Sequence, residues 1–196
     1  MDKVVIITGG SRGIGAETAL LAARQGYRIC INYHANEDAA LRVLEQVRGL
    51  GAQAIAVRAD VSREDEVIGL FKRVDAELGR VTALVNNAGT VGPKSRVDEM
   101  SELRILDIMK TNVLGPILCA KHAVLRMSPR HGGQGGSIVN VSRWPRASGR
   151  RENMSITRRP RAHSTPSPWA CPRKSRARAF ASMRCGLVTS SQTFMP

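Results

Sequence analysis

Near the start of the chain, Thr8-Gly9-Gly10-Ser11-Arg12-Gly13-Ile14-Gly15 has the residue types and spacing to cradle a pyrophosphate. Such a cradle needs a backbone that turns tightly, lets an anion approach closely and opens a helix whose first N–H groups are free. A glycine turn can also form with no ligand, so the run acquires weight only from its place between a strand and a helix. Further along, Asp60-Val61, Asn86-Asn87-Ala88-Gly89, Asn112 and Ser142 offer carboxylate, amide and hydroxyl groups, each following an apolar run or lying in a helical pattern. Asn112 alone would be an ordinary structural asparagine.

The elements that must position these groups are legible from the pattern. Residues 3–8 are a short β-branched run bounded by glycine, as expected of a strand buried on both faces of a parallel sheet. A helix is predicted over 13–25, ended by Gly26. The unit repeats as a strand over 27–33, a helix over 37–50, a strand over 54–57, a helix over 63–78 with Ser62 as N-cap, and a strand over 81–85. A long helical stretch over 103–127, with Pro116 near its middle, leads through a glycine-rich turn to a last strand over 137–141. This alternation predicts an α/β, Rossmann-type, doubly wound parallel sheet of five strands.

The composition divides at one point. Residues 1–142 carry 18 basic and 15 acidic side chains, whereas 143–196 carry 12 basic ones against Glu152 alone. The formal charge of +14 therefore belongs largely to the last segment, which also holds both tryptophans and six of the nine prolines. Residues 1–142 are expected to form a nucleotide-binding domain, and 143–196 a disordered basic tail with too few aliphatic side chains for a core. Cys30, Cys119, Cys171 and Cys185 show no CxxC spacing and read as free thiols in a reducing compartment, without a metal site. The opening residues show neither a signal-peptide pattern nor an apolar run long enough to span a bilayer, so a cytoplasmic location is expected.

Taken together, T-G-x-x-x-G-x-G, Asp60-Val61, Asn86-Asn87-Ala88-Gly89, Thr111-Asn112-Val113 and the run Gly135-Gly136-Ser137-Ile138-Val139-Asn140-Val141-Ser142 resemble, in order, the motifs of the short-chain dehydrogenase/reductase family. The resemblance covers about residues 3–142 and is nearest to glucose-dehydrogenase-like and 3-oxoacyl-reductase-like members. It implies reversible hydride transfer between a nicotinamide cofactor and a small carbonyl or alcohol substrate. It also implies cofactor contacts at Thr8, Gly9, Ser11, Arg12, Gly13, Ile14, Gly15, Asn32, Asp60, Val61, Asn87, Ala88 and Gly89, with catalytic roles at Asn112 and Ser142. A site preferring NAD carries an acid at the end of the second strand. Here that place reads Asn32-Tyr33-His34, so NADP is expected over NAD, with Arg12 available to the 2′-phosphate.

The family's proton-transferring Tyr-x-x-x-Lys is absent: the chain's two tyrosines are Tyr27 and Tyr33. Arg143 stands where the family has the serine that acts. A shift of reading frame after Ser142 accounts for both. Codons built from the third base of one residue and the first two of the next admit I-R-V-N-A-V-R-P-G across 179–188. Across 149–162 they admit S-P-G-E-Y-V-D-Y-A-A-S-K-G, with a tyrosine codon over Ile156/Thr157 and a lysine codon over Pro160/Arg161. The expected product is catalytically defective, with a bare sheet edge at the last strand and a family-type homo-oligomer compromised. The alternative is a non-catalytic nucleotide-binding module whose Arg158-Arg159-Pro160-Arg161 and neighbouring cations bind nucleic acid.

Overall fold

The computed structural model of the chain describes residues 3–142. Strands β1 (Val4–Ile7), β2 (Arg28–Tyr33), β3 (Ala54–Arg58), β4 (Ala83–Asn86) and β5 (Ser137–Asn140) alternate with helices α1 (Gly13–Arg24), α2 (Glu37–Gly49), α3 (Glu64–Glu77), α4 (Glu102–Met109) and α5 (Gly115–Met127). The strands form one parallel sheet in the order β3-β2-β1-β4-β5, the doubly wound arrangement that the alternation predicted. Helices pack on both faces because both faces of the strands are apolar. Val4, Ile6, Cys30, Ile55 and Val57 meet α3 and α5 through Phe71, Val74, Leu118 and Ala123. Val5, Ile7, Ile29 and Ile31 meet α1 and α2 through Ala19, Ala23, Val43 and Val47. The alternation along each strand is the period of two that sends successive side chains to opposite faces.

Two local expectations are corrected. Ser62 does not cap α3: the capping position is Arg63, without a side-chain cap bond, and the Ser62 N–H instead donates to Asp60 Oδ1 at 2.9 Å. The start of α3 is favoured by Glu64, Asp65 and Glu66, three acids in the first turn at the positive end of the helix dipole. The single long helix over 103–127 is three segments. Between α4 and α5 the chain widens into a π-helix over Lys110–Leu114. Pro116, at the start of α5, has no N–H to donate back into that turn, and this loss of one rung favours the wider winding.

β5 is an outer strand of the described sheet, with Ser137 and Asn140 exposed and Ile138 and Val139 half-buried. The predicted tail over 143–196 lies outside the described residues. No helix among the described residues is long and apolar enough to cross a membrane.

Candidate functional site

The carboxyl ends of β1 and β4 lie side by side at the point where the strand order reverses, the usual place for a ligand crevice in an open α/β sheet. The chain leaves β1 through the glycine run. Gly9 and Gly13 adopt φ of +61° and +53°, which side-chain-bearing residues rarely take. A Cβ on Gly15 would stand 2.5 Å from both Asn87 Nδ2 and the Gly9 carbonyl, so α1 can pack against the loop only through glycine there. A Cβ on Gly13, by contrast, would meet nothing within 4 Å. That open side coincides with the start of α1, where Arg12 occupies the capping position without a side-chain cap bond and no acid sits in the first turn. Free N–H groups beside open space suit a phosphate. Ser11 is half-buried, and Arg12, Gly13 and Ile14 are exposed.

Thr8 joins the two crevice walls. Its hydroxyl accepts from the N–H of Asn87 and of Ala88, both at 3.0 Å, and the Asn87 amide donates back to the carbonyls of Thr8 at 2.9 Å and Gly9 at 3.0 Å. Asn32 has a supporting position. Its side chain is buried, accepts from the Gly9 N–H at 3.4 Å and donates to the Ala59 carbonyl at 2.9 Å, which places it behind the glycine loop and bound to β3. These bonds give the amide a part in shaping the glycine loop.

Asp60 follows β3. Burial would raise its pKa, but the Ser62 N–H and hydroxyl outweigh that, helped by His34 and Arg63, and the carboxyl is held below its ordinary value. His34 Nε2 lies 3.9 Å from Asp60 Oδ2. Val61 is buried against Gly115, where a Cβ would come within 2.9 Å of Val61 Cγ2, so α5 approaches this loop through a glycine.

On the β4 side, Asn112 sits in the π-helical segment and holds Thr90 by both backbone groups. Its Oδ1 accepts from the Thr90 N–H at 2.8 Å and its Nδ2 donates to the Thr90 carbonyl at 2.6 Å. Gly89 lies against the same amide. Ser142 is exposed just beyond β5. The structure thus groups the glycine loop, Asn87–Gly89 and Asn112 at one crevice, with Asp60 and Val61 at the end of the neighbouring β3.

Sequence reasoning did not single out the pairing of Asn86 and Asn140, opposite each other in the β4–β5 register and joined by an Nδ2–Oδ1 bond of 2.9 Å. Asn86 Nδ2 also donates to the Pro116 carbonyl at 3.3 Å, tying both strand ends to α5. The available signal was an asparagine just after the predicted strand over 81–85 and another next to the end of the predicted strand over 137–141. Arg104, whose guanidinium donates to the Pro93 carbonyl, carried no such signal.

The profile of the short chain dehydrogenase family matches residues 3–144. The chain is 42% identical over 139 residues to the uncharacterized oxidoreductase YgfF of Escherichia coli, covering 71% of this chain and 56% of that protein. It is 34% identical over 142 residues to the 3-oxoacyl-[acyl-carrier-protein] reductase FabG of Staphylococcus epidermidis, covering 72% and 57%. Among solved structures, a Serratia marcescens short-chain dehydrogenase/reductase double mutant superposes with a TM-score of 0.65 at 27% identity, over 72% of this chain and 55% of that one. The chain thus spans little more than half the length of these relatives. The doubly wound sheet, the crevice at its reversal point and the family match over the same residues lead to one assignment: the chain belongs to the short-chain dehydrogenase/reductase family.

Proposed function

We propose that the described domain binds a nicotinamide dinucleotide, NADP in preference to NAD, and that the chain as encoded does not turn it over. The observation carrying the binding half is the open start of α1: positive-φ Gly13 faces free space, and neither a capping side chain nor an acid competes with an anion. In this reading the pyrophosphate lies on Gly9, Ser11, Gly13, Ile14 and Gly15, and Arg12 reaches the 2′-phosphate. Asp60 and Val61 border the adenosine, with the nicotinamide half over Asn87, Ala88 and Gly89. Preference for NADP rests on the end of β2, which offers Tyr33 and His34 and no carboxylate. When bound, the nicotinamide would donate or accept a hydride at a carbonyl or alcohol carbon.

Turnover is not proposed because no tyrosine follows Tyr33, and Ser142 is followed by Arg143. Asn112 is already engaged with Thr90, and neither it nor Ser142 supplies the missing general acid. Titrating the purified chain with NADPH and NADH, following the nicotinamide fluorescence, tests the binding. The expected result is saturable binding that favours NADPH, with no consumption of reduced cofactor against a panel of carbonyl compounds. Preference for NADH would overturn the choice of cofactor, and steady turnover would overturn the catalytic defect.

The reading frame is tested at its source. An additional base at the codons of Ser142 and Arg143 would restore a second serine and a Tyr-x-x-x-Lys, and with them a longer oxidoreductase. An unaltered sequence would leave the non-catalytic module. In that case the concentration of 12 basic residues within 143–196 favours the nucleic-acid reading, to be checked by salt-dependent binding to single- and double-stranded oligonucleotides.

A further inference from the structure

We propose that Arg104 is a positioning residue that fixes the loop after Gly89, and through it the nicotinamide side of the crevice; this rests on the dinucleotide reading above. The segment from Thr90 to Arg96 connects the candidate cofactor contact Ala88-Gly89 to α4, is exposed over most of its length and has little apolar anchorage. Two side chains from the following helical segments hold it. Asn112 grips Thr90 by its N–H and its carbonyl. Three residues on, the Arg104 guanidinium donates through Nη2 to the Pro93 carbonyl and lies under Gly92, where a Cβ would come within 3.5 Å of Nε and Nη2. Gly92 has φ of +63°, so the turn and the close approach of the guanidinium occur at one residue.

Arg104 is itself held by its helix. Ser101 caps α4 by accepting from the Arg104 N–H, which sets the start of the helix and the direction from which the side chain meets the loop. Its Nε is buried with no acceptor among the described residues. A buried guanidinium N–H left unused is costly, and the remaining contact to Pro93 is the compensation the loop offers. Releasing the guanidinium would therefore free the segment between Thr90 and α4 while leaving the sheet and the glycine loop untouched. In a sheet of this order the two halves of a dinucleotide lie on opposite sides of the reversal point. Loss of the clamp should weaken grip on the nicotinamide half alone.

The test compares the full 196-residue chain with its Arg104→Gln and Arg104→Lys variants. Trypsin cleavage after Lys94 and Arg96, resolved by mass spectrometry, reports the loop directly. Affinities for NADPH and for its 2′-phospho-ADP half report the crevice. With Arg104→Gln, cleavage at these two sites should rise about fivefold and NADPH should bind about fivefold more weakly, the loss of one net hydrogen bond, while the ADP half binds as before. Arg104→Lys, which keeps the charge without the planar fork, should restore part of both and provides the measurement if the glutamine variant does not fold. Unchanged cleavage, or equal weakening of both ligands, would overturn the proposal. Failure of the unsubstituted chain to bind any nucleotide would sink the dinucleotide reading instead, and the cleavage rates alone would then decide the clamp.

Discussion

Gly13 and Gly15 stand two residues apart in one loop but are glycine for different reasons, and the difference is measurable. Gly15→Ala drives a methyl group into Asn87 Nδ2 and the Gly9 carbonyl, so the two crevice walls must separate. It should cost about 1–3 kcal/mol in urea unfolding, the range for overpacking a tight site. Gly13→Ala meets no atom, and its cost should be only that of a left-handed backbone, about 1–2 kcal/mol. The two changes can thus cost similar stability while Gly15→Ala alone disturbs Asn87, visible as a shifted amide resonance. Thr8→Val removes the acceptor of two backbone N–H groups and should destabilise by about 1–3 kcal/mol, with Thr8→Ser restoring most of it. The glycines and Thr8 were legible in the sequence because backbone geometry leaves few alternatives. For Asn32 the sequence shows that an amide stands near the end of β2, whereas its choice of Gly9 and Ala59 as partners depends on β3 lying alongside.

Among the elements, α3 and α5 are joined by polar contacts as well as apolar ones. Glu64 on α3 accepts from Lys121 at 2.7 Å and lies 3.4 Å from His122 Nε2 on α5. About three turns further along α3, Asp75 pairs with Arg126 at 2.6 Å, and Arg126 lies over the Phe71 ring. The hydrogen bond from Lys121, then that from His122, holds the Glu64 carboxyl below its ordinary pKa. A carboxylate depressed in the folded state contributes stability above its unfolded pKa and loses it as pH falls through the folded value. The melting temperature should therefore decline as pH drops from about 5, and Glu64→Gln should flatten part of that decline. A Glu64→Gln profile parallel to the parent would show that the pair contributes nothing. The existence of these helices was readable from apolar spacing. The capping of α3 and the π-helical step before Pro116 were not, because both depend on competition: the Ser62 hydroxyl bonds Asp60, and Pro116 withholds a rung that the neighbouring turns must absorb. Cys30 on β2 and Cys119 on α5 follow the same logic of position. Burial pushes both thiols up, Cys119 to about 12, so neither should react with a disulfide reagent until the domain unfolds.

Over the described residues as a whole, apolar surface is unevenly spread. Leu103, Leu106, Met109, Val113, Leu114, Ile117 and Leu125 are exposed along the continuous α4 to α5 path, with Leu103 at 75% and Ile117 at 59%. β5 adds an outer strand with half-buried Ile138 and Val139. Exposed apolar stripes and open strand edges both favour association. Sedimentation over a wide concentration range should show mass rising with concentration, and Leu103→Lys with Ile117→Lys should reduce it; a monomer throughout would contradict this. The sheet's parallel order was predictable from alternation alone, whereas the place of this stripe on α4 and α5 was not, since a helical period shows that a face is apolar without showing what covers it.

The Thr8 bridge has a further consequence during synthesis. Its partners Asn87 and Ala88 lie 79 and 80 residues downstream, so the glycine loop cannot reach its finished geometry until β4 has been made and has docked beside β1. The first three strands, with α1 and α2, can pair while the rest is still being translated, because their contacts are nearer in sequence. A nascent chain therefore passes through a stage with a half-sheet and an unset loop, and the closing of one hydroxyl between its first and fourth strands marks the moment at which the candidate crevice comes into being.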